Sequence, residues 1–398
     1  MRLLVFDEAF FCGGLQILCL NLLPALSRFC EILVWVVPNY LQPEYANRIT
    51  EAPSLFLEGH NWPRWSPRCL PQRLLRKANP SLSAPLSYAA ACSLRDARIR
   101  ALARKYRSTH FLTSSMFQAP LPDVALPVFC FVCDINPVMP SKLRLDIARW
   151  VTETQGIFGI SEFTRQELQR AHPSHAAKIH AVPIAAPELK NWNPKPLAAR
   201  RFDFYYPAHA GPHKNHLVLF QACVGLAQLG YRFRLALSGQ CTDGFRVNGG
   251  FTNPKTEEAR RFLHEHAPLL DHRVEVIGEV ALPVVDTLYE DTRCVVLPSA
   301  YEGFGFPLGE AIDRGLPVIC SDIPPFREQL AMFERPANVQ IVPANDAVSL
   351  AASMEHFLKC AADAQEDRKP GESLRRWTWQ NTAQRCFELL STSTTSAS

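Results

Sequence analysis

The chain has 398 residues, of which 47% are hydrophobic and 20% charged, and its formal net charge is +4. This length exceeds one ordinary domain and predicts two domains of slightly under ~200 residues each. The composition is typical of a soluble globular protein, and no apolar run reaches the ~18 residues of a membrane span. The thirteen cysteines have no paired spacing, which favours a reducing cytoplasm in which Cys serves as a small core residue.

The first elements predict a Rossmann-like start. Strand Leu3–Phe6 is followed directly by acidic residues, which indicates a first strand rather than a signal peptide. A turn with Gly13 and Gly14, a helix over about 15–29 and strand Ile32–Val37 complete a βαβ unit. The G-x-G-x-x-G fingerprint is absent, so dinucleotide binding is not predicted. The two glycines either let a ligand approach the backbone or only form a tight turn.

The segment from Asn61 to His110 is strongly basic. It holds eleven Lys and Arg residues against Asp96 alone, a net charge of about +10, which leaves about −6 for the rest of the chain. Trp and Leu residues alternate with its first five cations, and an anionic bilayer attracts such a mixture with about 1 kcal/mol per cation. A solvated helix face beside ordinary core aromatics is the plainer interpretation, and nucleic acid is a third that no recognition motif supports. We favour the membrane surface.

The remaining first-half elements continue the α/β pattern. Pro53–Pro85 is rich in Pro and Arg and predicts irregular loops. After it we predict a helix over 88–106, strands over 110–113 and 128–133, a helix over 141–153, and strands over 156–160 and 178–183. Ser161 is a predicted helix N-cap, with Thr164 in the first turn.

Asp134 follows the 128–133 strand and is the first-domain candidate for holding a ligand hydroxyl. An Asx-turn after the strand explains the same residue almost as well. Cys130 and Cys133 have redox or zinc-pair spacing, but side chains three apart in a strand face opposite sides and no second pair exists. We therefore reject a metal or redox site there.

A second α/β unit begins after a Pro-rich linker. Its predicted elements are a strand over 202–207, a helix over 216–229, a strand over 232–238, a helix over 257–266, a strand over 274–277, a helix over 283–291 and a strand over 293–297. The last helix, over about 377–390, has an amphipathic pattern, and the Ser/Thr-rich 391–398 predicts disorder. The predicted boundaries are 1–185, linker 186–196, 197–372, a C-terminal helix within 373–390 that packs back on the first domain, and tail 391–398.

The loop after strand 202–207 carries Lys214 just before a helix. Polar groups at the carboxyl edge of a parallel sheet lie where α/β proteins bind ligands, and a lysine there suits a phosphate. His209 and His213 lie on the same loop, and each neutral imidazole can donate one hydrogen bond. A metal site formed with His216 is not supported, since no carboxylate or Cys cluster joins the three histidines. A solvated lysine beside a capping asparagine is the plainer alternative.

The segment from Leu297 to Glu310 predicts an anion site. An apolar strand, a glycine loop and a helix beginning near Pro307 place free backbone N–H groups and the positive end of a helix dipole together. Glu302 and Glu310 flank that point. Phosphate would take the backbone donors, and sugar hydroxyls would donate to the carboxylates. Gly239 and Gly278 follow strands of the same domain and either line a nucleotide pocket or only serve turn geometry.

The spacing Glu302-x7-Glu310, with its Gly-Phe-Gly-Phe-Pro filling and the Leu-Pro-Ser before it, resembles the family-4 retaining glycosyltransferases of the GT-B fold (glycosyltransferase group 1). The resemblance continues through Ala311–Pro324, and Lys214-Asn215 resembles the family's diphosphate-binding lysine. This implies an α/β GT-B fold, two Rossmann-like domains facing across a cleft. The family's usual Arg before the lysine is absent, with His209 and His213 nearby instead, and Cys133 occupies a usual His position beside Asp134.

The resemblance implies transfer of a sugar from a nucleotide-diphosphate donor to a hydroxyl, with retention of anomeric configuration. It implies that Glu310 binds ribose, Glu302 the donor sugar and Lys214 the diphosphate, and the catalytic candidates are Lys214, Glu302 and Asp134. No Asp-x-Asp occurs, so no metal or other cofactor is predicted. Double displacement and same-face attack both stay open. The predicted donor-binding residues are Gly13, Gly14, His209, His213, Lys214, Gly278, Glu302, Gly303, Phe304, Gly305, Leu308 and Glu310.

The predicted partners are a nucleotide sugar, a saccharide or lipid-linked saccharide acceptor, and an anionic membrane surface through residues 61–110, but no nucleic acid. Surface polysaccharide or glycolipid assembly is the predicted setting, in the cytoplasm and at the inner face of the cell membrane. The alternative from another class is a non-catalytic GT-B module that binds a nucleotide sugar or a partner. An epimerase or a glycogen-type phosphorylase is a further alternative, although no lysine context suits pyridoxal phosphate.

Overall fold

A computed structural model describes residues 1–6, 14–39, 42–49, 52–60, 84–113, 121–135, 141–187, 192–251, 253–333, 338–360 and 377–392. The chain divides into two compact units. The first contains Met1–Ile135, Met139–Ala185 and Thr378–Ser398, and the second contains Ala186–Trp377. Each unit is built on its own parallel sheet covered by helices, so the predicted α/β class is confirmed.

The first unit has a seven-stranded sheet in the order β3-β2-β1-β4-β5-β6-β7. Its strands are β1 Arg2–Phe6, β2 Ile32–Pro38, β3 Leu55–His60, β4 His110–Thr113, β5 Val128–Val132, β6 Gly156–Gly159 and β7 Ile179–Ala181. Its helices are α1 Gly14–Ser27, α2 Gln42–Arg48, α3 Ala84–Tyr106, α4 Ser141–Glu153, α5 Glu162–Ala171 and α13 Trp379–Thr392. The central strands are buried on both faces, which explains their continuous apolar runs.

The second unit has a six-stranded sheet in the order β10-β9-β8-β11-β12-β13. Its strands are β8 Phe202–Pro207, β9 Leu235–Ser238, β10 Val274–Gly278, β11 Thr292–Leu297, β12 Val318–Ser321 and β13 Val339–Val342. Its helices are α6 His216–Gln228, α7 Pro254–Glu265, α8 Ala267–Leu270, α9 Leu282–Glu290, α10 Phe306–Asp313, α11 Pro324–Leu330 and α12 Ala347–Cys360. One hydrophobic core runs between this sheet and its helices.

Local sequence signals explain several helix ends. The Ser161 hydroxyl accepts a hydrogen bond from the backbone N–H of Thr164 at 3.0 Å and caps α5 as expected. Gly315 has φ +70° directly after α10, and this left-handed conformation ends the helix. The last helix α13 belongs to the first unit, where Phe387 stacks on Phe29 with ring centroids 5.6 Å apart and the Thr382 hydroxyl donates to the carbonyl of Pro183 at 2.7 Å.

The expectation of irregular loops throughout Pro53–Pro85 is wrong at both ends. Leu55–His60 forms strand β3, which pairs in parallel with β2, and α3 already begins at Ala84. Strand β3 lies at the edge of the sheet, where Phe56 is 43% exposed, so its sequence lacks the continuous apolar run of a central strand. Residues 61–83 lie outside the described residues. Elements α2, α8, α11, α12 and β13 were also not predicted.

Within the described residues, no helix combines the length and apolar character needed to cross a membrane.

Part of the positive charge within residues 61–110 is paired with acidic side chains in the part of the segment that the structure describes. Four of the cations on α3 are in ion pairs. Arg98 and Lys105 both contact Glu58, Arg100 contacts Asp123, and the buried Arg95 contacts Asp96. The interpretation as a membrane surface therefore rests mainly on residues 61–83, and it stays a prediction.

Candidate functional site

The strand order of the second unit creates a switch point beside β8. The chain builds β9 and β10 on one side of β8, and β11, β12 and β13 on the other. The loops that leave the carboxyl ends of β8 and β11 therefore begin side by side where the connections turn to opposite sides, which is where open α/β sheets have their ligand-binding crevice. The loop after β8 carries Lys214 and the loop after β11 carries Glu302, so the topology brings these two predicted residues together.

Lys214 and Glu302 form a buried ion pair. The Lys214 Nζ lies 2.6 Å from Oε1 and 2.7 Å from Oε2 of Glu302, and both side chains are about nine-tenths buried. An ammonium has three N–H donors, so this pairing leaves one for a ligand oxygen. The carboxylate likewise keeps lone pairs that hydroxyl groups can donate to.

Two further side chains hold the pair in place. The Ser299 hydroxyl donates to Oε1 of Glu302 at 2.8 Å, and the Tyr206 hydroxyl donates to the backbone carbonyl of Lys214 at 2.6 Å. The Tyr206 and Ser299 hydroxyls are themselves 3.2 Å apart. The two loops are also joined by the backbone, because the Ala300 N–H donates to the carbonyl of His213 at 2.8 Å. Tyr206 was not predicted as a site residue, and Ser299 was noted only as part of the sequence motif.

Burial and the Lys214 charge shift the pKa values of Glu302 and of the two nearby histidines. Burial opposes ionisation of Glu302, but the adjacent Lys214 charge and hydrogen bonds from Lys214 and Ser299 outweigh it and lower the pKa of the carboxyl below its usual value. Burial, then the Lys214 charge, lowers the pKa of His209 to about 3 and that of His213 to about 4. Both imidazoles are therefore neutral at physiological pH, and neither supplies the positive charge of the missing Arg.

Glycines let the two neighbouring loops approach each other. Gly239 follows β9 with φ +144°, and a Cβ atom there would lie 2.4 Å from the carbonyl oxygen of Ala208 and 2.8 Å from the backbone nitrogen of His209. Gly278 is the last residue of β10 and has φ +93°, and a Cβ there would lie 2.4 Å from Asp243 Oδ1. Close packing therefore explains both glycines: Gly239 packs against the start of the loop that leads to Lys214, and Gly278 packs against Asp243.

The glycine loop before α10 lies against Phe326 and Gln329 of α11. Gly305 is the N-cap of α10 with φ +88°, where a Cβ would lie 2.4 Å from the Phe326 ring. The buried Gln329 Nε2 donates to the carbonyls of Phe304 at 3.1 Å and Gly305 at 3.3 Å. These bonds fix the position of the loop from the side of its carbonyl groups. Gly303 lies in this loop, and Leu308 lies in the first turn of α10 with its side chain fully buried in the core.

Glu310 lies one turn inside α10 in a different environment from Glu302. Its Oε2 accepts a hydrogen bond from the Tyr289 hydroxyl at 2.8 Å. Burial raises the pKa of the Glu310 carboxyl, although the Arg314 charge and the Tyr289 bond oppose the shift. Arg314 lies 4.4 Å from the Tyr289 ring and 2.5 Å from Asp286, so its positive charge also interacts with these two side chains. The carboxylate keeps its other oxygen for a ligand hydroxyl.

The candidate site residues of the first unit follow its strands β1 and β5. Gly13 lies outside the described residues, and Gly14 is the exposed first residue of α1, after β1. Asp134 lies two residues past the end of β5 and is partly exposed, next to Cys133. Within the described residues, no three His, Cys, Asp or Glu side chains are grouped to hold a metal ion, and this includes the three histidines near Lys214.

Residues 190–377 match the sequence model of the family described as Glycosyl transferases group 1. The serotype-specific mannosyltransferase WbdA of Escherichia coli is 38% identical over 117 residues, which is 29% of this chain and 13% of WbdA. The O-antigen chain mannosyltransferase RfbU of Salmonella typhimurium is 43% identical over 61 residues, 15% of this chain and 17% of RfbU. These matches span only a small part of the relatives' length.

Solved structures resemble the whole chain. HepE of Anabaena, in complex with UDP and glucose, has a TM-score of 0.63 and 15% sequence identity. The match covers 100% of this chain and 98% of HepE. Sucrose-phosphate synthase of Thermosynechococcus elongatus has a TM-score of 0.61 at 16% identity, with 98% of this chain covering 95% of that one. At such identities the likeness shows the fold alone.

The two parallel sheets and the crevice residues of the second define an α/β protein of the GT-B type. Residues 190–377, which carry Lys214, Glu302 and Glu310, match the model of the glycosyl transferases group 1 family. The fold class and the family predicted from the sequence motif are both confirmed.

Proposed function

We propose that this protein transfers a sugar from a nucleotide-diphosphate sugar to a hydroxyl acceptor, with retention of anomeric configuration and without a metal ion. The observation that carries the proposal is the buried Lys214–Glu302 pair at the switch point of the second sheet. One free N–H of Lys214 suits a diphosphate oxygen, and the free lone pairs of Glu302 suit sugar hydroxyls. The UDP and glucose in the HepE complex support this class of donor.

Charge balance supports the assigned roles. As the bond to the diphosphate breaks, negative charge builds on the leaving group, and a fixed ammonium and a helix N-terminus stabilise it without reorganisation. Glu302 already neutralises Lys214 in the absence of donor, so a bound diphosphate shares the cation rather than meeting it unpaired. Asp134 of the first unit is proposed to hold an acceptor or sugar hydroxyl. No nucleophile is assigned, and both routes to retention stay open.

The mannosyltransferase relatives support a role in surface polysaccharide assembly, with mannose as a candidate sugar. A panel of nucleotide sugars should identify the donor by thermal shift. Ligand at about 100 times its Kd adds roughly 2.7 kcal/mol to the free energy of unfolding, which raises the melting temperature clearly. Free nucleoside diphosphate released only when donor and acceptor are both present would then support transfer. Binding without any release would instead favour the non-catalytic module.

Glu310 should matter for nucleotide binding through ribose. In Glu310→Gln the carboxylate acceptor is lost, and a hydrogen bond to a charged group contributes about 1.5–3 kcal/mol. We expect the nucleoside diphosphate to bind roughly 10-fold or more weakly, measured by calorimetry. A 2′,3′-dideoxy nucleoside diphosphate should bind the wild type and Glu310→Gln equally. An equal loss for both ligands would show that Glu310 does not contact the ribose hydroxyls.

Ser299 should set the acidic limit of activity. Its hydroxyl helps lower the pKa of Glu302, and Glu302 must be ionised to accept sugar hydroxyls. Activity therefore falls as the pH decreases through the Glu302 pKa, and Ser299→Ala should move that acidic limb to higher pH. The matched control is Ser238→Ala, which removes a buried Ser–Tyr hydrogen bond of 2.6 Å to Tyr205 on the same sheet. An acidic limb that stays in place in Ser299→Ala would exclude this role.

A further inference from the structure

A series of contacting side chains connects Glu310 to the segment that joins the two units. Glu310 accepts a hydrogen bond from the Tyr289 hydroxyl at 2.8 Å. The Arg314 guanidinium lies 4.4 Å from the centre of the Tyr289 ring and 5.5 Å from the centre of the Trp192 ring. Both distances are within the ~6 Å range of a cation–π contact. We call Trp192, Arg314 and Tyr289 the Arg314 cluster.

Trp192 belongs to the predicted linker, which follows the first unit in the chain. Its ring is partly buried and packs on the core of the second unit. The start of the linker also packs on α10, because a Cβ atom added at Gly309 would lie 2.4 Å from the Cβ atom of Ala186. Gly309 directly precedes Glu310. The linker therefore contacts α10 both next to Glu310 and at Arg314.

Arg314 is the C-cap of α10 and is only 9% exposed. Its Nη1 donates to the backbone carbonyl of Glu310 at 3.1 Å, and its Nη2 donates to Asp286 Oδ1 at 2.5 Å. Its buried Nε has no hydrogen-bond partner among the described residues. A cation at a helix C-terminus is favourable by itself, but a buried donor without a partner is costly. Stability alone therefore does not explain the arrangement.

The Arg314 charge acts on a carboxyl group whose other surroundings oppose ionisation. Burial raises the pKa of Glu310, and the Asp286 charge adds to the rise, whereas the Arg314 charge and then the Tyr289 hydrogen bond lower it. Tyr205 also interacts with Glu310, but burial raises the pKa of its phenol, so it is neutral at physiological pH. Among the described residues, Arg314 thus supplies the positive charge that favours the ionised form of Glu310.

We propose that Arg314, held by Trp192, is a positioning residue that keeps the Glu310 carboxylate ionised and in place for the ribose hydroxyls of the donor. The inference rests on the proposed function and extends it, because it makes the linker part of the nucleotide site. Arg314 itself contacts no ligand atom in this assignment. It acts through its charge and through Tyr289, whose ring it contacts and whose hydroxyl fixes one oxygen of Glu310.

Arg314→Met tests the assignment, because it removes the charge and keeps much of the apolar length of the side chain. The probe is UDP or GDP, whichever the wild-type chain binds more tightly, together with its 2′,3′-dideoxy counterpart. Calorimetry gives both affinities, and their ratio reports the ribose contact alone, since the diphosphate titrates equally in both ligands. The wild type should favour the ribonucleotide about 10-fold. Arg314→Met should lose this preference at about pH 6 and recover it at about pH 9, because Glu310 without the Arg314 charge stays protonated to higher pH.

Three further variants separate charge from packing. Arg314→Lys keeps a cation at this position and should retain most of the preference at about pH 6, which a purely structural role does not predict. Trp192→Leu keeps an apolar contact but removes the ring, and should lower the preference about 3-fold at the same pH. The matched control is Arg327→Met, which removes an exposed arginine of α11 that pairs with Asp322, and it should behave as the wild type.

The proposal is overturned if Arg314→Met keeps the wild-type preference at every pH or loses it equally at every pH. The first result would mean that Glu310 ionises without Arg314, and the second that Arg314 only supports the fold of α10. An unchanged preference in Trp192→Leu would reject the part assigned to the linker, and equal wild-type binding of the ribo and dideoxy forms would reject the whole inference.

Sugar transfer measured on the same samples separates this inference from the proposed function. Transfer by the wild type together with a pH-independent preference in Arg314→Met rejects only the role of Arg314. Failure of the wild type to bind either nucleotide rejects the proposed function and this inference together.

Discussion

Lys214→Ala should lower kcat for sugar transfer by about 100-fold or more. The variant removes the ammonium that faces the proposed diphosphate, a contact that strengthens as negative charge develops in the transition state. The KM for the donor should change less than kcat, since a contact that strengthens in the transition state contributes less to ground-state binding. Steady-state kinetics with saturating acceptor measures both quantities.

The control must separate lost chemistry from lost stability. Removing Lys214 leaves the buried Glu302 carboxylate unpaired, and breaking a buried pair in this way costs about 3–5 kcal/mol. The double variant Lys214→Ala/Glu302→Gln removes that charge and should recover much of the melting temperature while staying inactive. Lys195 is exposed and forms an ion pair with Asp291 at 2.7 Å. Lys195→Ala breaks this pair and should leave kcat unchanged. Wild-type turnover in a folded Lys214→Ala would exclude the assigned role.

Gly239→Ala should destabilise the second unit by about 3 kcal/mol or more and disturb the loop that leads to Lys214. A φ of +144° is strained for any residue with a Cβ, and the added atom would lie 2.4 Å from the Ala208 carbonyl oxygen. The clash is with backbone atoms, so no side chain can rotate to relieve it. Urea unfolding measures the loss of free energy, and activity at low temperature reports on the loop.

Gly230→Ala is the matched control for that prediction. Gly230 also has a positive φ, +84°, but no atom lies within 4 Å of an added Cβ. We expect it to cost only about 1 kcal/mol, the penalty of the left-handed conformation alone. The difference between the two variants isolates the steric term. Equal losses would mean that the close approach of Ala208 contributes nothing.

The candidate site was predictable only where its residues lie in one local motif. Glu302, the glycine loop and Glu310 follow one another within a single strand–loop–helix segment, so spacing alone indicated an anion site. Lys214 was found because it occupies the corresponding strand end in the same domain. Tyr206 and Tyr289 were missed, because a tyrosine inside an apolar strand or helix has the same pattern whether its hydroxyl is idle or bonded to a site residue.

The secondary structure shows the same division. Buried central strands such as β1, β2 and β11 carry continuous apolar runs and were predicted closely. Edge strands β3 and β13 are half-exposed, so their hydrophobic signal is weak and their pairing partner decides that they are strands. This is why Leu55–His60 was taken for irregular structure.

The sequence by itself determined the α/β class, the resemblance of the Leu297–Pro324 segment to group 1 glycosyltransferases and the acidic pair around the glycine loop, because each depends on residues that are close in the chain. Only the tertiary structure decided that Lys214 pairs with Glu302, that Glu310 pairs with Tyr289, and that His216 is buried with no partner for either ring nitrogen among the described residues. These contacts join residues from different strands and loops. Strand order sets which loops meet, and burial sets how strongly their charges interact.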